Sequence, residues 1–324
     1  MRDDVMAVRT AVALSDGTHF SCVRIDGNAR AQLDRVSPRK LFVGGGQMLH
    51  TLFLDDAAKP VADVYLCCDD DHFLVYGEGD VASYLARHDI AATDLSATHG
   101  FLCLDGPYAW ELMAELTSPD VIGIPYLGFF HDERFTCFRG GKAGEYGYDL
   151  LVPREQLSSV RERVIEAGRA FDLRVVSREA LDLCMLEAGF FNVRHEVRDG
   201  MTPVELQLQW RTTSGRVPPR TPTQRTTMFA APSEVSTEIT LAGERVGTVL
   251  HQGWSYTRDE QIGVALLDLA VAHAGLRGFH CGETPLRTIS SPAVNNRSIY
   301  VDPQRHTFAT RASVPFPPLT RPIT

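Results

Sequence analysis

Apolar and polar residues alternate over several short stretches of the chain. HFSCVRIDG (19–27) alternates as a strand does, with successive side chains on opposite faces. LHTLFLDD (49–56) and VADVYLCC (61–68) read as two more strands joined by the turn-like DDAAKP, and DHFLVYG (71–77) follows. Helical spacing appears between and after them. Asn28 is placed to cap a short helix ending near Val36, and Asp80 one with Val81, Tyr84, Leu85 and His88 on a face. HGFLCLDG (99–106) is a further strand. Pro107 then opens a helix whose stripe is Tyr108, Leu112, Met113 and Leu116. REQLSSVRERVIEAGRAF (154–171) repeats apolar residues at Leu157, Val160, Val164 and Phe171. Ser177 caps a helix with Leu181, Cys184, Met185 and Ala188 together, stopped by Gly189.

SGRVPPRTPTQR (214–225) has no periodicity and reads as a linker. Beyond it STEITLAG, RVGTVLHQG, QIGVALLDLAVA and NRSIYVD are strand candidates. The third is a continuous apolar run, which fits a buried strand or a buried helix equally. The proline-rich end VPFPPLTRPIT reads as extended, and no internal repeat is visible.

Composition narrows the function. The 324 residues are 44% hydrophobic and 23% charged, enough for a sizeable core. A net charge of -9 without any basic run argues against a nucleic-acid backbone as partner. No apolar run is long enough to span a bilayer, and MRDDVMAVRTAVAL lacks the order of a secretory leader. Seven cysteines without a CxxC pair suggest a reducing compartment, so a cytoplasmic setting is expected. No HExxH or paired-ligand spacing points to a metal, and no GxSxG elbow is present.

Three places carry chemistry. On a strand, Asp63, Tyr65 and Cys67 of PVADVYLCC share a face. A carboxylate there is either the solvent-facing residue of an edge strand or a working group. Glu187, near the end of a helix with a buried stripe, opposes the macrodipole at a cost of about 0.3–1 kcal/mol unless a ligand contact offsets it. GGKAGEYGYDLLVP (140–153) is glycine-dense but lacks the GK[ST] ending and leads into a strand, so it is no phosphate loop.

Taken in order, LFLDDAAKPVADVYL, LCLDGPYAWELMAEL, FRGGKAGEYGYDLLVP, ALDLCMLEAGFF and DGMTPVE resemble the aminomethyltransferase family, the folate-binding T-protein of the glycine cleavage system and its relatives. ALSDGTHFSCVRIDGNAR, through Asp16 and His19, and GERVGTVLHQGWS are also similar to family stretches. The resemblance covers nearly the whole chain. It implies an α+β fold, a three-domain cloverleaf of antiparallel sheets and flanking helices with a C-terminal β-barrel, and it makes QIGVALLD a strand. The implied organisation is a folate-binding-type core of two interleaved subdomains over 1–213, a linker over 214–225, and the barrel with an extended tail over 226–324.

The resemblance also implies a tetrahydrofolate-dependent one-carbon transferase acting on a small molecule. Asp63 is then the catalytic carboxylate beside the reacting nitrogen, with His50 on the substrate side. Glu187 holds the pterin, and Tyr65, Cys67, Lys142 and Gly144 complete the cofactor pocket. Ala62, Lys142, Ala143 and Met185 depart from the family pattern. They point away from the housekeeping glycine-cleavage enzyme, and no lipoyl-protein partner is expected. Two alternatives stand beside this reading. One is a folate-binding accessory protein without turnover. The other is a repurposed, folate-independent enzyme on the same fold.

Overall fold

A computed structural model describes residues 1–320 of the chain. The chain runs α1 (Arg2–Thr10), β1 (Ala13–Asp16), β2 (Phe20–Asp26), α2 (Ala29–Val36), β3 (Gln47–Leu54), β4 (Pro60–Cys68), β5 (His72–Gly79), α3 (Val81–Arg87), β6 (Thr93–Asp94), β7 (His99–Asp105) and α4 (Ala109–Leu116). It continues through β8 (Phe129–His131), β9 (Thr136–Phe138), β10 (Gly147–Pro153), α5 (Leu157–Gly168), β11 (Arg174–Val175), α6 (Arg178–Ala188) and α7 (Val193–Glu196). The last part holds β12 (Gln224–Ala231), β13 (Glu238–Leu241), β14 (Glu244–Ser255), β15 (Glu260–Asp268), β16 (Phe279–Cys281) and β17 (Thr284–Ile289).

These strands form a five-stranded sheet in the order β3-β4-β5-β2-β6, a six-stranded sheet β11-β1-β7-β10-β9-β8, and a closed barrel β12-β15-β14-β13-β16-β17. The fold is therefore α+β with antiparallel sheets, flanking helices and a C-terminal barrel. The two open sheets face each other. Alternation sends Tyr65 and Cys67 of β4 and Tyr76 of β5 inward, where they meet Phe101 of β7, Phe138 of β9 and Leu151 of β10. Their outer faces carry separate cores: Val64, Leu66 and Val75 under α2 and α3, and Leu102, Leu104 and Leu150 under α4 and α5.

The capping logic holds at several ends. Asp80 accepts from Ser83 N, Ser177 from Ala180 N, and Gly189 ends α6 with φ +70. Asn28 sits at the N-cap of α2 but makes no side-chain capping bond. The run 261–272 is strand as far as Asp268, hydrogen-bonded on both sides within the barrel. NRSIYVD is not a strand. It holds a 3-10 turn over Ser298–Tyr300, because Glu145 draws in the backbone N–H groups of Arg297 and Ser298. The tail shows no regular structure up to residue 320, and the rest of the expected extended segment, 321–324, lies outside the described residues.

Helix α1, unanticipated from the sequence, carries the residue that ties the layers together. Arg9 is fully buried. Its Nε and Nη2 donate to Glu187 Oε2 at 3.1 and 3.0 Å, Nη2 to the Cys184 carbonyl at 2.9 Å, and Nη1 to the Ala143 carbonyl at 2.5 Å. Ser255 of the barrel donates to the other Glu187 oxygen at 2.6 Å. One ion pair thus joins α1, α6, the glycine-rich loop and the barrel. Arg9→Met leaves Glu187 and Glu145 buried without their shared cation, and should lower unfolding free energy in urea by about 3–5 kcal/mol. The double variant Arg9→Met/Glu187→Met should recover most of that loss. Equal losses for the single and double variants would show that the pair is not the joint.

Candidate functional site

The centre of the fold is built around Asp63. Strand β4 lies between β3 and β5, so Asp63 is an interior-strand residue with no exposed surface, and the solvent-facing alternative is wrong. A carboxylate this deep needs cations, and three segments supply basic groups. His50, diagonal to it on β3, brings Nε2 to Asp63 Oδ1 at 2.6 Å. Arg211, after α7, donates from Nη1 to the same oxygen at 2.8 Å. Lys142 of the glycine-rich loop donates to Oδ2 at 2.8 Å and to Glu78 Oε1 at 3.4 Å. Glu78 is closed on its other side by Arg178 and Arg194, each at 3.1 Å.

The glycines explain how Lys142 arrives there. Gly141 and Gly144 lie in the left-handed region at φ +86 and +88. A methyl group on Gly147 would come within 2.7 Å of the Gly140 carbonyl oxygen. The stretch is a tight backbone crossing that lowers one lysine onto two carboxylates.

Burial alone would raise the Asp63 pKa. Arg211, Lys142 and His50 overcome it and hold the group well below the ordinary carboxylate range. Burial depresses His50 to about 4, with Asp63 only partly opposing, so its imidazole is neutral at neutral pH. Glu78, against its burial, is drawn down to about 2 by Lys142 and Arg178.

Beside this network lies a cavity of about 30 Å³, lined among others by His19, Tyr65, Asp105, Lys142, Asp149 and Met185. That is room for about one water molecule. Asp105 on β7 and Asp149 on β10 face it, the alternation of their strands placing them on the side of Phe101 and Leu151. Tyr76 donates to Asp149 at 3.1 Å, while the buried Oδ1 of Asp105 has no partner. Burial lifts Asp149 to about 6, and burial together with the Asp149 charge lifts Asp105 to about 8.

Of the residues singled out from sequence, Asp63, His50, Tyr65 and Lys142 come together here. His50 stacks on Tyr65 at 4.3 Å between ring centroids. Cys67 is buried among the aromatic side chains between the sheets, and burial raises its thiol pKa. Of the expected site residues only Tyr65 and Lys142 line the cavity; Asp63, His50, Cys67, Glu187 and Gly144 do not. The Glu187 carboxylate is turned into the Arg9 clamp, and Gly144 sits against Ala188 and Arg9. The carboxyls that face the centre are instead Asp105 and Asp149. They were readable as acids at inward positions of apolar strands, in CLDG and GYDLL. Arg211 carried no comparable sequence signal.

The carboxylates expected to meet a tetrahydrofolate ring are already engaged in this arrangement. Both oxygens of Asp63 and both of Glu187 are taken by side chains of the same protein. The cavity beside Tyr65 and Lys142 is an order of magnitude below ordinary small-molecule pockets, ~300 Å³ or more.

The raised acids make a pH prediction. A carboxyl whose folded pKa lies above its unfolded value adds stability that is complete below the unfolded pKa and disappears as pH rises through the folded one. For Asp105 that window runs from 3.8 to about 8. Asp105→Asn should therefore flatten the fall in urea-unfolding free energy between pH 5 and 8, by up to about 1.4 kcal/mol per pH unit. Parallel curves for wild type and variant would mean that Asp105 is ionised in the folded protein.

No helix among the described residues is long and apolar enough to cross a membrane, and no group of three or more His, Cys, Asp or Glu among them is arranged to hold a metal. Sequence comparison finds aminomethyltransferases from Flavobacterium psychrophilum, 27% identical over 222 residues, and Thermotoga neapolitana, 21% identical over 223. These matches cover 63% and 64% of this chain and 61% of each relative, so the chain spans about three fifths of the length of the curated relatives it matches. The crystal structure of glycine cleavage system aminomethyltransferase T from Bartonella henselae superposes with a TM-score of 0.81 at 18% identity, over 91% of this chain and 90% of that one, which is a likeness of fold. Residues 1–215 match the family described as the GCVT N-terminal domain, and with two thirds of its length so matched the chain belongs to that family.

Proposed function

We propose that this protein is a folate-independent small-molecule enzyme on the aminomethyltransferase framework, with its fold centre closed by its own ion network. The carrying observation is the cavity of about 30 Å³ beside an Asp63 whose two oxygens already accept from His50, Arg211 and Lys142. Polarity supports the same reading. A catalytic carboxylate that stabilises a nitrogen turning cationic acts through an uncompensated negative charge. Here Lys142 and Arg211 are matched by Asp63 and Glu78, so no uncompensated negative charge is left at Asp63 to act in that way.

Folate-dependent one-carbon transfer, the activity that the relatives' names suggest, is the second reading. One observation favours it: the unpartnered Asp105 oxygen beside Asp149 and Tyr76 would suit the N–H groups of a flat ring edge. That ring needs Lys142 withdrawn from the centre.

Two measurements separate the readings. A ligand that binds only the folded state stabilises it by about 2.7 kcal/mol at a hundredfold excess over Kd. Tetrahydrofolate and its methyl and methylene forms should leave the melting temperature unchanged, and a saturable rise would restore folate to the centre. Asp63→Asn should lower stability by about 3–5 kcal/mol, because Lys142 and Arg211 are left buried without their counter-charge. A stable Asp63→Asn protein would show that the network is not a lock.

A further inference from the structure

An open groove of about 620 Å³ lies at the end of the seam between the two open sheets, where the β1–β2 turn, β7 and α5 meet. Its size is that of a small-molecule site. Strand alternation gathers its floor. Phe20 and Cys22 of β2 share one face, as do His99 and Phe101 of β7, and both faces look into the space between the sheets. Cys22, Phe101 and Leu151 of β10 belong to one buried cluster there, and half-buried Phe20 and Leu95 pack against it at the groove. Phe20 also lines the closed cavity beside Lys142, with its ring edge-on to Tyr76 at 5.5 Å and to Phe101 at 5.3 Å. That ring stands between the groove and the fold centre, so the groove does not depend on what the centre holds.

The lip of the groove is cationic. Leu157 and Arg161 lie four residues apart on one side of α5, and Arg154 precedes that turn. Arg154 donates to the carbonyls of Ser96 at 2.7 Å and of Ala97 and His99 at 3.2 Å, none of which carries charge. Arg161 meets Asp16, across the mouth, only at 3.6 Å, with 36% and 58% of the two side chains exposed. Such a pair contributes little in water and gives way readily. Asp16 is the only acid lining the groove among the described residues. Two guanidinium groups therefore share one loosely paired carboxylate above an apolar floor.

We propose that this groove binds an aliphatic carboxylate, a single acid group on an unbranched chain of medium length. The carboxylate takes the place of Asp16 at Arg161 and meets Arg154 beside it. The chain lies over Leu157 and runs down between Phe20, Phe101 and Leu151 toward Cys22. The charge-assisted bonds set the direction of the ligand, and burial of its methylenes supplies affinity. An amine on the same chain would meet two cations at the lip, and an acid without a chain would leave the floor wet.

The probe is decanoate, titrated by calorimetry against the whole chain below its micelle concentration. Saturable binding is expected. Octanoate, shorter by two methylenes, should bind about tenfold more weakly. Decyltrimethylammonium, which keeps the chain and reverses the charge, should bind at least about tenfold more weakly than decanoate. Arg161→Gln should weaken decanoate about tenfold with an unchanged circular dichroism spectrum. Asp16→Asn, which removes the competing acid, should tighten it by up to about fivefold. These opposite signs separate a built site from adsorption to any apolar surface. Should Arg161→Gln fail to fold, Asp16→Asn and the chain-length pair carry the test. Equal binding of the acid and the quaternary amine overturns the proposal. So does wild-type affinity in both variants, or no saturation of the folded protein up to about 1 mM.

Discussion

A fully buried carboxylate on an interior strand sets the terms for the rest of this structure. Asp63 cannot stay ionised without cations, and His50, the basic group that meets it from its own sheet, is neutral. The compensating charges must come from elsewhere in the chain. Lys142 comes from the loop ahead of β10 and Arg211 from the segment that leads to the barrel. The five-stranded sheet, the six-stranded sheet and the approach to the barrel are therefore joined at one anion. The glycine positions of the 140–147 loop follow from the same demand, since a tighter backbone brings the lysine inward.

Arg9 and Glu187 repeat this principle on the neighbouring flank. There a cation from α1 meets an anion from α6, with Ser255 and the Ala143 carbonyl taking the remaining bonds. Each buried pair is completed by hydrogen bonds, which is the condition under which burying ions is tolerable. Neither pair provides much net stability relative to apolar residues of equal volume. Each penalises the loss of one partner, and so fixes where helices and loops must sit.

The fold was legible where periodicity was strong. Strands β2 to β5 and β7, helices α3 to α6, and the caps at Asp80, Ser177 and Gly189 could be read from alternation, helical stripes and capping residues. Short elements escaped: β8, β9 and β16 have three residues each, too few for a pattern, and they exist because neighbouring strands pair with them. Helix α1 has only 9 residues and starts at Met1 without a side-chain cap, so no capping signal marks its beginning. NRSIYVD alternates well enough for a strand, but Glu145, distant in sequence, takes its backbone donors. The site was half legible. The shared face of Asp63 and Tyr65 followed from strand alternation. Its place at a helix end and the resemblance both pointed Glu187 to a ligand, and the structure gives that carboxylate to Arg9. Pairings such as Asp63 with Arg211 join residues 148 positions apart, and no local pattern encodes them.

The core organisation explains how the centre can close without cost to the architecture. The apolar clusters lie beneath α2 and α3, beneath α4 and α5, between the sheets, under α6 and inside the barrel. None depends on a ligand at the centre, so the fold persists whether that space is occupied or filled. Filling it has a chemical constraint, however. Asp63, Glu78, Asp105 and Asp149 all point toward one region, and four ionised carboxylates at that range repel. Lys142 bridges the first two, with Arg211 on Asp63 and Arg178 and Arg194 on Glu78, and protonation relieves Asp105. When Lys142 leaves, Asp63 keeps Arg211 and Glu78 keeps Arg178 and Arg194, so a molecule that opens this centre has to replace one ammonium shared by two carboxylates.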